Sequence, residues 1–531
     1  MATKIRNNPA TRSKANSRLN PHTWQKPHGT LVGRVSRVGA EHFAIVCIDP
    51  AKKRSAWMMA DYFGTLLIEP RTLEHHPAHF QTAINMLRQH IDQHLIRDLI
   101  ITVERTGNYH LAPQRAFAAA GFETRIIHPF ATKQFRLPAD PGIKTDHTDL
   151  FAQHRAAVSG LGLAEQPLDA LHQDLRLLVR HRRDLVEKAT AVQCQLRESL
   201  HFLMPGYAEL FEDLWSHKSA LPIARVTGSP EAVCRQGLSG LGETLARQQI
   251  RVQTRTLEKI LAWAQSRSTQ VPLPAGEIQL QHRIWINLDD DRLAKAGQIA
   301  LCEREIAGLL AQTPYLLLLA IPGINVVSAA DLAGEMGPIA HYANANALTG
   351  RAGLFPSRYQ SDETDHAHGP LVRSANRRLR AALMRIADNL VLNNSFFRIR
   401  AAADRLRGLD ERRIRVRAAK TFTRLAYAMV AGRQLLRHAC CAPRHSILDK
   451  LQVFHQVRQT PPQQLRTDLQ QAVEQLPHQA CEAERNTLND HFQQQRRTEP
   501  TPLRELLPAL LARLQSRQEN GQHTTPGDTR P

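Results

Sequence analysis

No run of about 18 apolar residues occurs in the chain, so no membrane-spanning helix is expected. Cysteine is scarce and scattered. The seven are Cys47, Cys194, Cys234, Cys302, Cys440, Cys441 and Cys481, and none has CxxC spacing. An odd count in a long chain argues for reduced cytosolic thiols over a disulfide frame or a zinc site. Acidic residues are absent from positions 1–40, which carry eight Lys and Arg. Such a composition is that of an organellar transit peptide, but Asn, Pro and His break any amphipathic helix there. A flexible basic arm over 1–40 is expected instead. The shortage of acid extends to the whole chain. Lys and Arg number 69 against 49 Asp and Glu, giving a net charge of +20 and a pI of about 10.1. That excess points to a polyanionic partner, most simply nucleic acid, rather than a surface made only for solubility. At 531 residues the chain has room for roughly three domains.

Against that basic background, four acids stand out. Asp49 ends the buried strand Phe43–Ile48, and Glu104 ends another, Leu99–Val103. Asp146 and Asp149 lie in Lys144-Thr-Asp-His-Thr-Asp149, where i,i+3 spacing puts both on one face of a helix. Oxygen-only carboxylate clusters suit hard divalent cations such as Mg²⁺. Two ions about 4 Å apart can clamp the attacking and leaving oxygens of a phosphodiester. The pattern around these acids reads as strand, turn (Asp61–Gly64), further strands, a helix over Pro77–His94, a strand over 99–104, a helix near Ala112–Ala120 and a strand over Glu123–Ile127. This order predicts an α/β layer of the ribonuclease H type over 41–165.

From about residue 166 the pattern turns helical. Leu171, Leu175, Leu178, Leu185, Val192 and Leu196 follow a near-heptad spacing with Arg182 and Ala189 between them. This predicts a coiled-coil-like segment or helix pair ending near Pro205. Further helices are expected around 241–266 and 290–312, completing a helical and dimerising region over 166–315. Pro322-Gly323 reads either as a plain helix–helix turn or as backbone N–H groups offered to a phosphate. Residues 371–437 hold 17 Lys and Arg, 16 of them Arg, and four acids. That preference for Arg favours phosphate forks. Beyond 441 the chain is Gln- and Pro-rich, with one amphipathic helix near Leu503–Leu514 and a disordered end from Gly521. Asp365, His366 and His368 form a weak metal-ligand pattern, and Cys440-Cys441 reads as two buried small residues.

Several blocks together resemble the DEDD-type insertion-sequence transposases, the insertion sequence 110 group. They are Ile45-Val-Cys-Ile-Asp49-Pro-Ala-Lys52, Val103-Glu-Arg-Thr-Gly-Asn-Tyr109, His128-Pro129 with Lys144–Asp149, Ile321-Pro-Gly-Ile324 with Ala352-Gly-Leu-Phe-Pro356, and Asn376-Arg-Arg-Leu-Arg380. The match covers roughly 41–160 and 315–435. The resemblance implies a RuvC-like domain, a helical dimerising segment and a C-terminal transposase domain over 316–440. It implies that Asp49, Glu104, Asp146 and Asp149 bind Mg²⁺ as two ions, and that a C-terminal serine attacks DNA. By position this is Ser361. The family has glycine after that serine, whereas Asp362 and Glu363 follow here, so Ser357 is the alternative and Ser374 a third.

The resemblance also implies a structured noncoding guide RNA, and dimers or tetramers in which acids and serine meet across subunits. It implies a cytoplasmic, nucleoid-associated protein. Lys144, Gly323, Arg351, Arg358, Arg373, Arg377, Arg378 and Arg380 are the expected nucleic-acid contacts, neutralising phosphate charge. Two other readings stay open from the residues: a Mg²⁺-dependent junction endonuclease that only hydrolyses, and a noncatalytic nucleic-acid-binding relative.

Overall fold

The computed structural model describes residues 31–139, 142–164, 168–267, 274–361, 364–366, 369–373, 375–436, 438–441, 446–477 and the single residue 512. The chain divides into two compact units, residues 1–167 and 168–531.

The first unit is built on a six-stranded sheet in the order β3-β2-β1-β4-β5-β6. Its strands are β1 (Phe43–Pro50), β2 (Arg54–Asp61), β3 (Leu66–Glu74), β4 (Asp98–Glu104), β5 (Thr124–Ile127) and β6 (Leu163–Ala164). β1 is antiparallel to β2 and parallel to β4, and β4 is parallel to β5. This mixed sheet with helices on both faces agrees with the α/β layer that the sequence predicts. A continuous apolar run makes β1 a central strand, because both of its faces are covered. Ala44, Val46 and Ile48 enter one core, with Leu87 and Phe117 from α2 (Pro77–Gln93) and α3 (Leu111–Ala119). Phe43, Ile45 and Cys47 enter the opposite core. Its helical cover is α1 (Val32–Val38), α4 (Pro129–Arg136) and α5 (Asp146–Val158), through Val35, Phe135 and Leu150.

α1 corrects the expected flexible arm over 1–40. Leu31 is buried, and Arg34 donates from Nε to Asp98 Oδ2 at 2.7 Å and pairs with Glu123. The last part of that stretch therefore docks on the sheet, because two acids compensate its cation. Residues 1–30 lie outside the described set.

The second unit is helical. α6 (Ala170–Leu203) runs antiparallel to α10 (Ala275–Ala311). Leu175 and Val179 share a core with Ile306 and Leu310, while Val192 and Leu196 share one with Trp285. The near-heptad seam is thus buried against the chain's own α10. Between them lie α7 (Ala220–Thr227), α8 (Pro230–Arg247) and α9 (Thr254–Arg267). The single helix expected over 241–266 is two helices, since Gln249 takes a left-handed φ of 57° between them. The helix expected over 290–312 begins earlier, at Ala275.

A 3-10 segment, Pro314–Ala320, leads into α11 (Val326–Met336), α12 (Ala345–Ala352), the hairpin β7 (Tyr359–Ser361) and β8 (Thr364–His366), α13 (Arg377–Asn393), α14 (Ser395–Leu406) and α15 (Glu411–Gly432). α16 (Ser446–Val457) and α17 (Pro462–Gln475) follow. Leu448, Leu451 and Leu469 enter the same core as Leu317 and Phe422. The expected boundary at 440 is therefore corrected: residues 446–475 complete the core before them. The helix expected near Leu503–Leu514 and the end from Gly521 lie outside the described residues, apart from position 512.

Candidate active site

The parallel register of β1 and β4 builds the centre of the site. Ile48 pairs with Val103, so Asp49 and Glu104 follow side by side at the carboxyl ends of adjacent strands. The third strand end is close too, since Arg105 N donates to Ile127 O. α5 supplies the other two acids. Its N-cap, Thr145, forms a reciprocal capping box with Thr148, at 3.1 and 3.0 Å. The box fixes the first turn and with it Asp146 and Asp149. Buried polar contacts then key α5 to the sheet. Gln153 donates to Thr102 Oγ1 at 3.1 Å, Thr102 donates to Val46 O, and His154 Nε2 meets Asp61 O at 2.8 Å. Asp149 turns inward and is buried, while Asp146 is exposed at the mouth.

Burial is the main force on these acids. It raises the Asp49 carboxyl from its ordinary 3.8 to about 7, helped by the charges of Glu104, Asp149 and Asp146 and opposed by Lys144. Burial also raises Glu104, with Asp149 adding to it. Exposed Lys144 draws both down. A cation here would relieve the repulsion, and an all-oxygen donor set suits Mg²⁺. The chemistry of the residues therefore fits a divalent metal. As they stand, no three His, Cys, Asp or Glu side chains among the described residues are close enough to ligate one ion. A residue that the sequence did not single out also meets these acids: the Arg136 guanidinium of α4 donates to Asp149 Oδ1. Nothing in the local pattern marks Arg136, because its partner is 13 residues away on another helix.

The raised Asp49 fixes a pH dependence. Its folded value lies above the unfolded one, so its contribution to stability is full below about 4 and is lost as pH rises through about 7. Metal-free protein should lose melting temperature across that window, and saturating Mg²⁺ should restore it at pH 8. Melting curves from pH 4.5 to 8.5, with and without MgCl₂, check this. A flat metal-free profile in wild type, or an Asp49→Asn profile that falls with pH as steeply as the wild type's, would contradict it.

The remaining candidates lie in the second unit. Ser361 ends β7, opposite Thr364 of β8, and its side chain lies outside the description. Ser357 is tied down: its Oγ donates to Pro370 O at 3.0 Å, and Gly369 N donates to its carbonyl. Ser374, Asp362, Glu363 and His368 lie outside the described residues, as do the side chains of Asp365 and His366. Gly323 has a φ of +92°, and a Cβ there would sit 3.1 Å from Asn389 O. Its glycine is required by the close passage of α13. Lys450 of α16 secures the same turn from below, donating to Leu319 O, Ile321 O and Ile324 O at 2.7 to 3.0 Å. Burial pushes that ammonium down to about 8.

Arg380 also works inside the fold, donating to Ala352 O at 2.9 Å and to Val372 O. Arg351 donates to Tyr342 Oη at 2.7 Å and lies over its ring. Arg358, Arg373, Arg377 and Arg378 are exposed, the last two opening α13. Cys440 is buried and Cys441 half-buried, with His438 Nδ1 2.9 Å from Cys440 Sγ.

The two stretches that carry these features match known families. A family model described as a transposase, of the DEDD type found in IS110, covers residues 46–205. A second, described as the transposase IS116/IS110/IS902 family, covers 315–400. The chain is 29% identical over 219 residues to the insertion element IS116 uncharacterized 44.8 kDa protein of Streptomyces clavuligerus, covering 40% of this chain and 53% of that protein. It is 25% identical over 289 residues to the insertion element IS110 uncharacterized 43.6 kDa protein of Streptomyces coelicolor, covering 54% of this chain and 70% of that one. The chain thus spans about half the length of the first relative. Both models match in chain order, one on the acidic sheet and one on the Arg-rich helices, so these two stretches are similar to IS110-type transposases.

Proposed function

We propose that the protein cuts and rejoins DNA at the ends of a mobile element, using Mg²⁺ at the four acids and a serine nucleophile, guided by an RNA from the element. The observation that carries this reading is the meeting of Asp49 and Glu104 on adjacent strand ends, with Asp149 of α5 turned inward. Asp49, Glu104, Asp146 and Asp149 would hold the metal, which would supply charge stabilisation at a reacting phosphate. Lys144 lies at the mouth, where it can take a phosphate without adding to the acid repulsion.

Ser361 would attack phosphorus through its Oγ, giving its proton to a neighbouring base, and the departing strand would leave with a free 3′ or 5′ oxygen. The phosphoserine ester keeps the bond energy, so the reverse attack by another strand's hydroxyl restores the serine and joins DNA without ATP. The acids lie in the first unit and Ser361 in the second. Homo-oligomers would bring the two sets into one reaction. Arg358, Arg373, Arg377 and Arg378 offer fork-shaped donors to phosphates.

The test is strand exchange on element-end DNA by protein purified with its bound RNA. Ser361→Ala should abolish joining and the covalent protein–DNA species, and the RNA should sequence as one discrete element-derived transcript. Full joining by Ser361→Ala would refute the serine. Cleavage without joining in wild type would favour a hydrolytic endonuclease. Random RNA would remove the guide from the reading.

A further inference from the structure

The Arg136–Asp149 pair is enclosed: its side chains are 12% and 8% exposed. Arg136 lies one turn beyond Thr132 on α4, and Asp149 lies in the first turn of α5, so the pair pins two helices that pack together. Arg136 and Lys144 both act on Glu104, and Lys144 is exposed. A carboxylate withdrawn from water needs a counter-charge. Arg136 provides it with a charge-assisted hydrogen bond to Oδ1. That bond also has a cost. An oxygen committed to a guanidinium is not available to a metal, and the described donors do not close on one point.

We propose that Arg136 is a resident counter-cation: it holds Asp149 in the metal-free protein and must release it when a divalent cation is taken up. It is a positioning residue that sets metal affinity through Asp149. The inference rests on the reading of the acids as a cation site. The exchange has a physical logic. Without metal, the guanidinium's hydrogen bond holds the Asp149 side chain in place, so the ligand needs no reorganisation beyond the loss of its partner. Once released, the guanidinium stays at the pocket edge with a planar fork suited to a phosphate.

The test uses the full chain, stripped by chelation and titrated with MgCl₂ and MnCl₂ by calorimetry, without nucleic acid. Removing an opposite charge at contact distance changes a carboxylate's cation affinity by about tenfold or more. Arg136→Gln should therefore bind Mg²⁺ about tenfold more tightly than wild type. Arg136→Lys, which keeps the charge but loses the fork, should show a smaller gain in the same direction. In the Asp149→Asn background the Arg136→Gln change should have no effect on Mg²⁺ affinity.

A purely structural role makes the opposite prediction: loosened helices and weaker binding. Equal or weaker Mg²⁺ binding by Arg136→Gln, with wild type binding measurably, overturns the proposal. Should that variant fail to fold, Arg136→Lys decides by the same rule. Wild type with no saturable Mg²⁺ or Mn²⁺ binding would instead sink the underlying reading of the acids.

Discussion

Asp49→Asn is expected to abolish Mg²⁺-dependent strand cleavage, by at least about 10³-fold, and at the same time to raise the melting temperature of the metal-free protein. The first effect follows from the proposed ligand set. Asp49 and Glu104 are the two acids placed by register alone, and charge stabilisation at a phosphate is the main contribution a metal site makes. The second follows from what burial does to Asp49 without metal. Its carboxyl is pushed up to about 7 by desolvation, then by Glu104, Asp149 and Asp146. At pH 8 the charged form therefore works against the fold, and an isosteric amide removes that charge. Functional sites are where such strain is retained. Glu104→Gln should behave alike in direction, since burial raises it too. Cleavage assays at pH 8 and melting curves in EDTA measure both effects. Asp49→Asn that cleaves within tenfold of wild type would end the metal reading, and a lower melting temperature would end the electrostatic account.

What the sequence made legible follows from how local each signal is. Phe43–Ile48 is an unbroken apolar run closed by one acid, and such a run can only be a covered strand ending at a polar rim. Asp146 and Asp149 were legible for the same reason, with Thr145 capping the helix that carries them. Arg136 was not legible, because its meaning depends on α4 packing against α5. Nor was Lys450, whose three carbonyl partners lie more than 120 residues earlier. The helix pair α16–α17 was hidden by composition. Leu448, Leu451, Leu465 and Leu469 keep helical spacing, but Gln-rich surroundings dilute it. The near-heptad of α6 was visible, yet periodicity cannot name the partner that covers it. Here α10 does. Gly323 was ambiguous for a related reason, because its need arises from Asn389, far along the chain.

Glu335→Ala should destabilise the second unit by about 1–3 kcal/mol, the cost of losing charge-assisted bonds to a buried acid and leaving two half-buried arginines without it. The Glu335 side chain is fully buried on α11 and accepts two bonds from Arg180 of α6, at 3.0 and 2.9 Å. Arg183 lies 3.9 Å away and also approaches Asp331, which pairs with Arg385 of α13 at 2.8 Å. The crossing is tight: Arg176 Nε donates to Gly334 O at 2.7 Å, and a Cβ on Gly334 would meet Val179 at 2.9 Å. Burial alone would raise Glu335, but the Arg180 bond and the charges of Arg180, Arg183 and Arg176 overcome it, leaving a lowered value. With the folded value depressed, its stabilisation is present above about 4.5 and is lost as pH falls through the folded value. The same change in pH therefore moves Asp49 and Glu335 in opposite directions. Denaturant titration at pH 7 should show Glu335→Ala less stable and Asp49→Asn more stable than wild type. A Glu335→Ala loss under about 1 kcal/mol would mean that the arginines regain water. An acid held for the fold costs stability when it is removed, and one held for the proposed metal returns it.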